Sequence, residues 1–258
     1  MLILYAMEDN NKLEDGNQQE MGFFAHLEEL RKRIMLALGG VILACIVTAY
    51  FIDPLMNIIL LGPAKSVNLN LQNLKPFGIP FLYIKVILIS GVILSFPIIL
   101  YQIWKFIEPG LYENEKKWAR GITFFTSLCF FTGVAFAYYV MIPSMLGFSA
   151  SFNSPSIKND IDVNEYFGFI TMMMLGAGLI FEMPMVSFIL SRFNIITSKM
   201  LRKYWRHAIV AILILAAVLT PSPDPINQMI FATPLFILYE ISIWIAKLAQ
   251  RKVENTEE

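Results

Sequence analysis

The run from Phe167 to Leu190, FGFITMMMLGAGLIFEMPMVSFIL, constrains this chain more than any other stretch. It is long and apolar enough to cross a bilayer, yet it carries one ionisable side chain, Glu182. A carboxylate at that depth costs about 2.5–3.5 kcal/mol on insertion scales, so such a group turns toward protein or water and marks a functional position. Pro184 has no N–H, which deprives the carbonyl of Ile180 of its helical donor and favours a kink. Gly176 and Gly178 precede it, and Gly178 lies one turn before Glu182 on the same face, where a small residue admits a close neighbour. The plain alternative is a protonated structural glutamate hydrogen-bonded to an adjacent helix.

The rest of the chain is of the same kind. Hydrophobic residues make up 57% and charged residues 16%, with a mean hydropathy of +0.60, against about 25% charged in a soluble domain. These values describe an all-α polytopic membrane protein, and a net charge of zero excludes a global basic surface for nucleic acid. Cys45 and Cys129 sit in apolar runs without CxxC or metal-ligand spacing and read as small core residues, so no metal or cofactor is expected. There is no GxSxG or HExxH, and His26 and His207 fall at membrane boundaries, which argues against an intramembrane enzyme.

Three segments follow from the patterning: a disordered acidic tail at 1–21, a six-helix membrane domain at 22–247 and a cytoplasmic tail at 248–258. Phe23 to Ile34 alternates Phe23, Leu27, Leu30 and Ile34 with charged residues and reads as a short amphipathic helix in the membrane interface. Spans are expected from Ile34 to Ile52, Pro80 to Tyr101, Gly121 to Ile142 (bounded by Pro143) and through the Glu182 run. Residues 53–79 read as an extramembranous cap of short helices, and 143–164 as a loop. The last two helices read as short, with uncharged runs of 14 residues each from Ala208 to Pro221 and from Ile226 to Tyr239. That is about 21 Å of helix, less than the roughly 30 Å hydrocarbon core. With both termini cytoplasmic, the basic residues fall on the inner side except Lys65, Lys75, Lys85 and Lys158, as the positive-inside rule requires. No internal repeat of the kind found in many transporters is present.

Four motifs then carry a resemblance: HLEELRKR at 26–33, FPIILYQIWKFIEPGLYENEKK at 96–117, FE-P at 181–184 and TPSPDP at 220–225. In order and position they resemble the TatC family, the multispanning subunit of the twin-arginine protein translocase, over roughly Gly22 to Lys247. The resemblance implies a receptor for twin-arginine signal peptides that exports folded proteins with the proton-motive force. It also implies TatA-like and TatB-like single-span partners, a homo-oligomer within the complex and a location in the cytoplasmic membrane. It places signal-peptide binding at Glu29 and Glu115, with Leu30, Arg31 and Phe106 around them. It places a partner-helix polar site, on a concave face, at Glu182, Thr220 and Gln228, and adds Asp224 in the outer turn. Guanidinium binds carboxylate bidentately, so two carboxylates held apart can read two arginines. The competing reading pairs Glu29 with Arg33 on its own helix and Glu115 with Lys116 or Lys117, and makes Asp224 a helix N-cap. Glu108 and Asn227 depart from the family pattern; the first is expected to alter peptide preference near Phe106 and the second to be harmless. The alternative function is a proton-coupled small-molecule transporter with Glu182 as proton carrier, aided by Glu240.

Overall fold

The computed structural model describes residues 2–67, 69–107, 119–151, 160–219 and 224–254, without the side chains of 2–23, 25, 119, 120, 122, 219 and 251–254. The acidic tail at 1–21 therefore lies outside the described side chains, and Glu108, Glu115 and Thr220 lie outside the described residues altogether.

Helix α1 runs Leu2–Tyr50. The amphipathic segment and the first span, expected as two pieces, are one helix, because no proline precedes Pro54 and Gly39 and Gly40 are carried within the helical register. A cap follows: α2 (Ile52–Leu55), a π turn (Met56–Leu60), α3 (Leu61–Ser66) and β1 (Asn70–Gln72). Next come α4 (Gly78–Ile107), α5 (Ala119–Phe136), a second π turn (Ala137–Met141), α6 (Ile142–Ser151) and β2 (Asp160–Asp162). The chain ends with α7 (Val163–Ile180), α8 (Met183–Arg192), α9 (Ser198–Lys203), α10 (Trp205–Leu219) and α11 (Pro225–Glu254).

Five helical stretches among the described residues are long and apolar enough to cross a membrane, and α10 supplies a shorter apolar helix, Trp205–Val218. Two boundaries differ from the sequence expectation. The third span does not stop at Pro143 but continues to Ser151. Pro143 falls where the π turn hands back to α geometry, and the change of register there absorbs the missing N–H. The last helix is not short: α11 has 30 residues and passes straight through Glu240. Glu240 does not end the helix because its carboxylate points out to Arg202, 3.1 Å away, with both side chains more than half exposed. Only α10, 15 residues long, fits the expectation of shortness. Ala249 is buried and Gln250 accepts from Ser198 Oγ at 3.0 Å, so the helix also packs past the boundary drawn at 247.

Small residues set the spacing between helices. A Cβ at Gly91 would lie 2.5 Å from Cys45 Sγ, which brings α1 hard against α4; Thr48 Oγ1 then reaches across to the carbonyl of Ile87 at 3.1 Å. The Phe96 and Phe130 rings stack between α4 and α5. Between α5 and α7, a Cβ at Gly133 would meet the backbone oxygen of Ala177 at 2.7 Å, and one at Gly178 would meet the Phe130 ring at 2.6 Å. Phe130, Ile142, Ile170, Met173 and Phe231 are fully buried in the core so formed.

The cap is tied together by a feature that hydrophobic periodicity does not announce. β1 and β2 pair in parallel, Asn70 to Asp160, Leu71 to Ile161 and Gln72 to Asp162. Asp162 then N-caps α7, accepting from the N–H of Asn164 at 2.9 Å, and its other oxygen accepts from the N–H of Leu74 at 3.1 Å. The three backbone donors, Leu74 first, hold the Asp162 carboxyl below the usual carboxylate range.

Candidate functional site

At the end of the bundle away from this cap, the helical spacing of His26, Glu29 and Arg33 sets three polar side chains on one face of α1, and that face meets α4. The His26 ring stacks on Phe106, centroids 4.5 Å apart. Deeper, Arg33 Nη2 donates to Glu29 Oε1 at 3.1 Å and Nη1 approaches Gln102 Oε1 at 3.5 Å. Glu29 thus sits between two contacts that clamp α1 to α4, with its side chain 31% exposed. Leu30 is partly buried, and Arg31 is exposed. Of the five residues assigned to peptide binding, the structure brings Glu29 and Phe106 to one surface and leaves Glu115 undescribed. The pairing of Glu29 with Arg33 on its own helix is present as well. Gln102 was not singled out from the sequence; its place one turn before Phe106 on an interface helix was the available signal.

A second polar place lies inside the bundle. The Phe167–Leu190 run is not one helix: Phe181 and Glu182 form a turn between α7 and α8, where Pro184 occupies the first turn of α8. The carbonyl of Glu182 accepts from the N–H groups of Met185 at 2.9 Å and Val186 at 3.0 Å, restarting the helix. The close approaches at Gly133 and Gly178 pin the end of α7 and the Phe181 ring against α5. Glu182 is 7% exposed, and its Oε1 has no hydrogen-bond partner among the described residues. The carboxylate is turned toward protein, as expected, with one oxygen left as an unpartnered acceptor among the described residues.

The other members expected around Glu182 are otherwise engaged. Gln228 Nε2 donates to the carbonyl of Leu213 at 3.0 Å and ties α11 to α10, and no hydrogen bond joins it to Glu182 among the described residues. Asp224 N-caps α11, accepting from the N–H groups of Ile226 at 3.2 Å and Asn227 at 3.1 Å. Asn227 is well accommodated: it is buried, donates to Asp224 at 2.8 Å and accepts from Ser144 Oγ, which fastens α11 to α6. Glu240, named as a second proton carrier in the transporter alternative, is more than half exposed and pairs with Arg202.

Comparisons with known proteins give the family and the fold. The family model for Sec-independent protein translocase protein (TatC) matches residues 25–234. The Sec-independent protein translocase protein TatC of Helicobacter pylori is 37% identical over 232 residues, covering 90% of this chain and 90% of that protein. The chloroplastic TATC of Arabidopsis thaliana is 35% identical over 243 residues, covering 93% of this chain and 70% of that protein. A crystal structure of the twin arginine translocase receptor TatC superposes with a TM-score of 0.71 at 32% identity, covering 87% of this chain and 99% of the crystallised one.

Proposed function

Since this chain belongs to the TatC family of Sec-independent protein translocase subunits, a multi-pass helical membrane component and not an enzyme, we propose that it is the signal-peptide receptor of a twin-arginine translocase. In this reading Glu29 and Glu115 take the two arginines of the peptide, and Leu30, Arg31 and Phe106 form the surrounding surface. Six spans with both termini cytoplasmic bring that surface to the cytoplasmic side of the inner membrane. Export of folded precursors is driven by the proton-motive force, with TatA-like and TatB-like single-span proteins and further copies of this chain as partners. Glu182, with Thr220 and Gln228 on the neighbouring hairpin, is the polar site for a partner helix.

The observation that supports this reading best is the position of Glu29. It is a half-buried carboxylate on an exposed end of two clamped helices, one residue from Leu30 and beside the His26–Phe106 stack. Rigid placement matters because guanidinium recognition is geometric: both oxygens must present to the fork. The relatives matched are protein translocase subunits, which gives no support to a proton-coupled small-molecule transporter, and Glu240, paired with Arg202 on the surface, is not placed to carry protons through the bundle.

Binding of a labelled twin-arginine peptide, and of its twin-lysine version, to the protein in nanodiscs tests the reading. Each charge-assisted contact contributes about 1.5–3 kcal/mol, so Glu29→Gln and Glu115→Gln should each weaken the arginine peptide by roughly 10- to 100-fold. Equal binding of both peptides, unaffected by either substitution, would sink the assignment.

A further inference from the structure

Glu29 already has a guanidinium on it. Arg33 is one turn along the same helix, in the orientation that favours an acidic residue preceding a basic one by four positions. It spends only one of its donors on the carboxylate, Nη2 to Oε1. Its Nη1 lies 3.5 Å from Gln102 Oε1, at the outer limit of a hydrogen bond, and its buried Nε has no hydrogen-bond partner among the described residues. The guanidinium is therefore singly bonded to Glu29, incompletely satisfied, and within a small rotation of a second acceptor on the neighbouring helix.

Resting on the receptor reading, we infer that Arg33 is a displaceable internal ligand of Glu29, holding the carboxylate until an arginine of the signal peptide replaces it and then turning to Gln102. The physical case has three parts. A carboxylate about two-thirds covered by protein has little water to pair with, so an internal partner keeps it hydrogen-bonded and oriented when no peptide is present. An incoming guanidinium can make two parallel bonds where Arg33 makes one, so exchange is favourable. An ammonium makes a point contact and would only trade one single bond for another, so Arg33 acts as a threshold that lysine-bearing segments do not pass. Gln102 lowers the cost of exchange, because the displaced guanidinium finds an acceptor on α4 and is not left unpaired.

The test is a double-substitution cycle read by peptide affinity in nanodiscs. Arg33→Gln removes the competitor and should tighten twin-arginine peptide binding about two- to five-fold, the scale of a partly exposed ion pair. Arg33→Lys keeps a cation beside Glu29 and should stay within about two-fold of the parent. In a Glu29→Gln background the Arg33→Gln gain should vanish. A merely structural role for Arg33 would weaken binding in both backgrounds. If the parent binds with the Glu29 dependence described above but Arg33→Gln leaves affinity unchanged or lowers it, the displaceable-ligand role is overturned and the receptor reading stands. If Glu29→Gln itself has no effect, both fall together.

Discussion

Replacing Gly133 with alanine should loosen the wall that holds the Glu182 turn. The added Cβ would lie 2.7 Å from the backbone oxygen of Ala177 and 2.8 Å from Phe181 Cγ, so α5 and α7 must separate by several tenths of an ångström. Neither neighbour is the free end of a flexible side chain: one is main chain, and the other is a ring held at the turn next to Glu182. Overpacking of this kind costs about 1–3 kcal/mol. Against it stands the helix gain of alanine over glycine, about 0.5–1 kcal/mol. The net expectation is a loss of about 0.5–2 kcal/mol, or a Tm lower by roughly 1–8 °C for a chain of this size. Gly168→Ala is the control, because nothing lies within 4 Å of a Cβ there and only the helix gain remains. It should raise Tm by about 1–4 °C. Thermal denaturation in detergent, followed by intrinsic fluorescence, reads both. A Gly133→Ala protein as stable as the parent, or a Gly168→Ala protein destabilised to the same degree, would refute the packing argument.

Because backbone donors depress the folded pKa of Asp162, its contribution to stability is present above the unfolded carboxylate value of about 3.9 and is lost as pH falls through the lower folded value. Thermal curves of the parent and Asp162→Asn should therefore differ at neutral pH and converge in acid below about pH 4; a constant offset at all pH values would contradict this. Glu240→Gln breaks only an exposed pair, so it should shift stability by under about 1 kcal/mol and leave export of a folded reporter intact, while a loss of export would revive a proton-carrying role. Glu182→Leu should not destabilise the protein, since it removes a buried acceptor that has no partner, but it should abolish export; retention of export in a living cell would remove Glu182 from the site.

The number of apolar runs, their order and the singular position of Glu182 were legible because hydrophobic length and an isolated carboxylate are local properties of the sequence. Pro184 foretold the break, although the expected kink is a full turn that ends one helix and begins another. The end of α11 was misread because a single glutamate was taken as a boundary; what decides its effect is Arg202, 38 positions away, which no local pattern contains. The β1–β2 pair has the same origin, joining segments 88 residues apart through strands of three residues, too short for any alternation to register. The contact of Asn227 with Ser144, on α6, lies 83 positions away and leaves no local signal either. The polar face of α1 was readable from the spacing of His26, Glu29 and Arg33, but its meaning came only with Phe106 and Gln102 opposite it.

The two acidic positions differ in a way that bears on how the protein could be switched. Glu29 is paired, with Arg33 on its own helix at 3.1 Å. Glu182 is bare, its Oε1 buried without a donor among the described residues, and an unsatisfied buried acceptor costs about 1–3 kcal/mol. A partner helix that brings one donor to that oxygen recovers this cost in full, so its attraction is large for a single polar contact and nearly independent of salt. On the proposed receptor reading, a peptide contact at the partly exposed Glu29 would be weakened by salt. On that reading, cargo recognition at Glu29 would be salt-sensitive, whereas recruitment of a partner helix at Glu182 would not. The residues that enforce this division are not the polar ones: Gly133, Gly178 and Pro184 fix the turn where Glu182 sits, and the Gly91–Cys45 contact fixes the α1–α4 pair that presents Glu29.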